Sequence, residues 1–82
     1  MSAAAEPAVP LSTLQPGARA KVLALNLPDE SRGRLLEMGL TIGVTVEVVR
    51  FAPMGDPLEL KVRGSHISLR KSDASAISVQ RL

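Results

Sequence analysis

Apolar and polar residues alternate with a period of two along four stretches of the C-terminal half of the chain. Val44, Val46 and Val48 alternate with Thr45 and Glu47, and Leu58, Leu60 and Val62 with Glu59, Lys61 and Arg63. Ile67 and Leu69 alternate with His66, Ser68 and Arg70, and Ile77 and Val79 with Ser78 and Gln80. Each stretch predicts a strand with one face in a core and the other in water. A further strand is predicted over Ala18 to Leu27, with Ala20, Val22 and Leu25 turned inward. Their spacing lengthens after Val22, which predicts a bulge or bend there. Gly64-Ser65, with Gly first, fits a two-residue type II′ hairpin turn. That turn sets Arg63 opposite His66, Val62 opposite Ile67 and Glu59 opposite Arg70. Leu60, Val62, Ile67 and Leu69 then share one face, and Glu59 and Arg70 form an ion pair on the other.

The pattern changes period in two places. Pro28-Asp29-Glu30 opens a short helix, with Asp29 as its cap and both acids at the positive end of the helix dipole. Leu35, Leu36 and Leu40, with Met38, supply its apolar side, and Gly39 is the left-handed stop. Gly33 inside it costs about 1 kcal/mol relative to Ala, so the helix depends on tertiary packing. Lys71 to Ala76 reads as one helical turn, which Ser72 can cap, and Leu11 to Gly17 ends in a Pro-Gly turn. Five short strands, a helix inserted after the first and a helical turn before the last predict a mainly β protein. The architecture that suits so small a chain is an antiparallel barrel, because closing the sheet removes its edges.

Composition narrows the function. The chain has 82 residues, enough for one domain. That domain is placed at residues 11–82, behind a flexible tail of residues 1–10 whose Ala and Pro offer little to anchor it. The tail has no basic start and no apolar run, so no secretory leader and a cytoplasmic location are expected. There is no Cys, which excludes disulfides and Cys-based zinc sites. Ten basic and eight acidic residues leave a net charge of +2, too small to point to a nucleic-acid partner. Arg19, Lys21, Lys61, Arg63, Arg70 and Lys71 are expected on outer strand faces, with Phe51 as the sole aromatic residue in the chain. Binders of single-stranded nucleic acid and of proline-rich peptides use aromatic platforms, so neither ligand is expected.

The candidate chemistry is equally sparse. His66 is the only imidazole, on an outer face beside Ser68, and reads as a solvated strand residue rather than a metal ligand. Asp29, Glu30, Glu37, Asp56 and Asp73 show no metal-ligand spacing, and no serine has a nucleophile-elbow setting. No enzyme activity, cofactor or metal site is expected. Apolar residues carry a stronger signal. Leu23, Leu27, Val49 and Phe51 exceed what one inner face accommodates, so most must pack beneath the helix against Leu35 and Leu36. Any remainder forms an exposed patch of the kind that marks an interaction site. The loop Pro53-Met54-Gly55-Asp56-Pro57 is stiffened at both ends and presents an adaptable methionine. The candidate partner interface is therefore Leu35, Leu36, Met38 and Leu40 of the helix with Pro53, Met54, Gly55, Asp56 and Pro57 of the loop.

Several segments in combination resemble the FeoA family. They are Leu11-Ser12-Thr13-Leu14-Gln15-Pro16-Gly17, then Arg34-Leu35-Leu36-Glu37-Met38-Gly39-Leu40 with Gly43 beyond it, and Ala52-Pro53-Met54-Gly55-Asp56-Pro57-Leu58. Arg63-Gly64, Leu69-Arg70, Asp73-Ala74 and Ile77-Ser78-Val79 complete the set. The resemblance implies an SH3-like barrel with a helical insertion. It also implies a small cytosolic accessory protein of ferrous iron transport that binds and modulates FeoB, a membrane transporter with a cytosolic G-protein-like domain. Membrane association would then come only through the transporter, and a weak homo-oligomer is compatible with the apolar surplus. Related domains at the C-terminus of diphtheria-toxin-repressor-type regulators make a metal-responsive regulatory domain the alternative. A basic nucleic-acid-binding barrel is the next.

Overall fold

The computed structural model describes residues 7–82. The strands are β1 (Val9–Pro10), β2 (Arg19–Leu25), β3 (Thr45–Phe51), β4 (Leu58–Val62), β5 (Ser65–Leu69) and β6 (Ile77–Arg81). Helix α1 (Asp29–Glu37) follows β2, helix α2 (Lys71–Ser75) follows β5, and a 3-10 turn (Leu11–Thr13) follows β1. All strand pairings are antiparallel, in the order β1-β6-β2-β3-β4-β5. The five expected strands and both helical insertions are present, and β1 is an addition. Val9 and Pro10 pair with Val79 and Ser78, so the sheet takes in the last two residues of the expected tail. Residues 1–6 of that tail lie outside the described residues.

Inward positions fill the core as the alternation requires. Ala20, Val22, Val46, Val48, Leu58, Leu60, Ile77 and Val79 are fully buried, and no polar or charged residue is buried with them among the described residues. Two bulges bend the long central strands. The β2–β6 register shifts between Val22 and Ala24, where the spacing predicts it, and the β3–β4 register shifts between Val48 and Arg50. Each shift flips the facing of the residues beyond it, so Leu25, which plain alternation from Val22 would turn outward, is buried.

Helix α1 is closed by a Schellman arrangement. Gly39 has φ 99° and donates to the Leu36 carbonyl, while Leu40 donates to Leu35. Leu35 and Leu40 thus meet in the core, the hydrophobic contact that accompanies this stop. The other end differs from expectation. Pro28 holds the cap position, and Asp29 is the first helical residue, paired with Arg32. A proline at the boundary already has the required φ, and the acid then serves the dipole from within the first turn. Arg70 rather than Ser72 occupies the cap position of α2.

The β4–β5 hairpin also departs from the sequence expectation. The turn residues are Arg63 and Gly64, with φ 51° and 83°, not Gly64 and Ser65. Two left-handed residues make this a type I′ turn, whose twist matches that of the flanking strands. Val62 faces Ser65, Leu60 faces Ile67 and Leu58 faces Leu69. This register keeps every apolar residue on the expected face and gives Leu58, in place of Val62, an apolar partner. His66 consequently faces Lys61 rather than Arg63, and Glu59 faces Ser68 rather than Arg70. The acid pairs instead with Arg50 of β3, at 3.6 Å.

Candidate functional site

The two segments singled out in the sequence converge on one rim of the barrel, at the junction of β5 and α2. Arg34 of α1 reaches Asp73 of α2 at 3.8 Å. Asp56, in the loop between β3 and β4, accepts a hydrogen bond from the Lys71 backbone N–H at 3.0 Å. That bond serves one of the free donors in the first turn of α2 and ties the Met54 loop to it. The loop is also closed on itself, since Ala52 donates to Pro57 and Gly55, at φ 84°, donates to Ala52.

Between α1 and the β5–α2 junction lies a cleft of about 300 Å³. Leu35, Met38 and Leu69 give it an apolar floor, and Arg34, Ser68, Arg70 and Asp73 its polar rim. Sequence reasoning places Leu35 and Met38 here but omits the four rim residues. Their signal is positional: Ser68 and Arg70 occupy outward positions of β5 and its end, and only the packing of α1 makes those positions a wall.

The predicted interface divides. Met54 is 91% exposed, and Pro53, Asp56 and Pro57 are exposed beside it, with Gly55 half-buried. Leu36 is 42% exposed and Met38 half-buried. Leu35 and Leu40, at 1% and 0%, belong to the core and cannot form a docking surface. Leu40 is drawn in by the Schellman closure, and Leu35 reaches the cleft only as its floor. Among the surplus apolar residues, Leu27 is buried, Val49 and Phe51 are half-buried, and Leu23 stays exposed. Ile42, which the alternation does not single out, is 68% exposed in the turn before β3. Among the described residues there is no group of His, Asp and Glu side chains placed to hold a metal ion. No helix among them is long and apolar enough to cross a membrane.

A family model described as the FeoA domain matches residues 9–81. The chain belongs to the FeoA family. The match begins at β1 and ends with β6, so it covers the whole sheet of this FeoA domain. A curated relative from Porphyromonas gingivalis is 37% identical over 70 residues, which is 85% of this chain. It is named as a fusion of Fe(2+) transport protein A with the Fe(2+) transporter FeoB, and the chain spans only 8% of its length. The solution structure of the FeoA protein from Chlorobium tepidum is 38% identical, with a TM-score of 0.87 over 90% of this chain and 70% of that one. The SH3-like, mainly β architecture is thus that of the FeoA family. A manganese-dependent transcriptional repressor shares the fold alone, at 16% identity and TM-score 0.85, over 99% of this chain and 45% of that one.

Proposed function

We propose that this FeoA domain is a non-enzymatic accessory protein of ferrous iron transport that docks on the cytosolic part of a FeoB-type transporter and modulates it. The observation that carries the reading is the Porphyromonas gingivalis relative, in which the matching segment and an Fe(2+) transporter FeoB share one polypeptide. A fusion holds two modules at high effective concentration, and separately made counterparts must achieve the same proximity by binding. The cleft and the Met54 loop support the reading physically. They offer an apolar floor, two arginines and an exposed methionine on one rim, a composition suited to protein contacts. The working location is the cytoplasm, and contact with the membrane comes through the transporter.

The docking surface comprises Leu36, Met38, Pro53, Met54, Gly55, Asp56 and Pro57, with Arg34 and Arg70 joining from the cleft. An amide NMR titration of the labelled protein with the isolated cytosolic domain of the transporter tests it. Shifts concentrated at Arg34 to Met38, Pro53 to Pro57 and Ser68 to Arg70 are the expected result. Absence of any shift at near-millimolar partner removes that domain as the target.

A further inference from the structure

Among the described residues the strand ladder stops at β5, which has β4 on one side and no strand on the other, so the closure expected to remove the sheet's edges is incomplete. The Arg63-Gly64 turn makes Val62 and Ser65 the first hydrogen-bonded pair. Bonded pairs then alternate along the ladder: Leu60 with Ile67 and Leu58 with Leu69 exchange bonds, while Lys61 with His66 and Glu59 with Ser68 do not. The N–H and C=O groups of His66 and Ser68 therefore point away from β4, into the free edge. Both residues are exposed, and among the described residues no backbone bond from another element reaches them. Soluble proteins commonly blunt such an edge with a proline, a bulge or an inward-pointing charge. β5 contains no proline, its pairing with β4 is regular, and its charged neighbours flank the strand rather than point inward.

The surroundings of this edge are chemically specific. Ser68 is also a wall of the cleft, so the open backbone groups lead into the apolar floor of Leu35, Met38 and Leu69. Cations stand at both ends, with Arg63 and Lys61 by the hairpin turn and Arg34 and Arg70 by the cleft. Asp73 is the acid of the cleft rim and meets Arg34 only at 3.8 Å. We propose that β5 is a strand-addition site, where an extended acidic segment of the partner pairs with His66 and Ser68 as a seventh strand. One apolar side chain of that segment enters the cleft, and its carboxylates meet the flanking arginines. Main-chain bonds to the edge supply affinity, and the cleft supplies selectivity. A second copy of this chain fits poorly. Antiparallel self-pairing of β5 brings Arg63 of one copy against the Arg70-Lys71 end of the other. The proposal rests on the docking reading above and specifies its geometry.

The test is amide hydrogen exchange of the full chain, alone and with the isolated cytosolic domain of the transporter. In the complex the His66 and Ser68 amides are expected to exchange at least tenfold more slowly. Ser68→Pro is expected to weaken binding at least tenfold, and Ser68→Ala, which keeps the N–H, less than twofold. The Ser68 N–H makes no bond to β4, so the proline removes no ladder bond and the variant's fold is checked by its amide spectrum. The exchange measurement on the unaltered protein decides the matter whether or not that variant folds. Binding with unchanged exchange at His66 and Ser68 leaves the docking reading standing and overturns strand addition. No binding at all overturns both.

Discussion

The centre of the sheet and the rim formed by α1, β5 and α2 use the same residue types to different ends. In β2, β3 and β6, the inward residues Ala20, Val22, Val46, Val48, Ile77 and Val79 have no exposed surface. Each of these strands has neighbours on both sides, so their inner faces are shielded from several directions. At the rim, Leu35 and Leu69 are buried, while Leu36, Met38 and Ile67 remain partly open. Among the described residues β5 pairs with β4 alone, and the nine-residue helix α1 buries only Leu35. Adjacent leucines on α1 show the contrast at its sharpest, at 1% and 42% exposure. Burial is complete where elements are covered twice, and apolar surface stays open where they are covered once.

Truncation at the two regions is the strongest way to break this contrast. Leu60→Ala, in the paired interior of β4, is expected to cost about 3 kcal/mol and lower the thermal midpoint by roughly 15 °C. Leu36→Ala on the rim is expected to cost about 0.5 kcal/mol. Equal losses in thermal melts would mean that the rim is as structural as the centre. Next in size is Gly39→Ala. A Cβ there meets Val62 Cγ1 at 3.7 Å, an ordinary contact, so its cost is that of the left-handed backbone, about 1–2 kcal/mol. Urea melts measure it, and a neutral result would show that the closure of α1 tolerates another conformation. Asp56→Ala removes the acceptor for the Lys71 N–H and is expected to cost about 1 kcal/mol. Its signature is faster hydrogen exchange confined to α2, with Asp56→Asn restoring part of the protection. Smallest of all, Met54→Ala is expected to leave the melting curve within about 0.5 kcal/mol of the parent, because that side chain is 91% exposed. The same change is expected to weaken transporter binding several-fold in the titration. Loss of stability without loss of binding would reverse the role assigned to the loop.

The bulge after Val22, the stop at Gly39 and the inner faces of all five expected strands were legible because each rests on a local rule. The β4–β5 turn was not. Read locally, Gly64-Ser65 is the better turn, since it spares Arg63 a left-handed backbone. The observed register pairs Leu58 with Leu69 and Leu60 with Ile67, as many apolar pairs as the expected one, so the apolar pattern does not choose between them. The type I′ twist at Arg63-Gly64 does, at a local cost of about 1 kcal/mol for Arg63. The cleft was half legible for a similar reason. Leu35 and Met38 of its floor follow from the apolar side of α1, but Arg34 comes from α1 and Ser68, Arg70 and Asp73 from the β5–α2 junction far along the chain. Their convergence depends on how α1 packs, which no spacing reveals.

Period-two alternation, turn residues and the family segments by themselves determined a mainly β FeoA domain with its helices in place. Those features are local, and one residue of slip would turn every core side chain outward, so the pattern admits few alternatives. The tertiary structure decided what the surplus apolar residues do. Leu27, Leu35 and Leu40 went to the core, while Leu23, Leu36, Ile42 and Met54 stayed in contact with solvent. It also decided that, among the described residues, β5 ends the ladder with the backbone groups of His66 and Ser68 turned to its free edge. Burial and edges are properties of how separate elements meet, and each of those meetings joins residues that the chain itself holds apart.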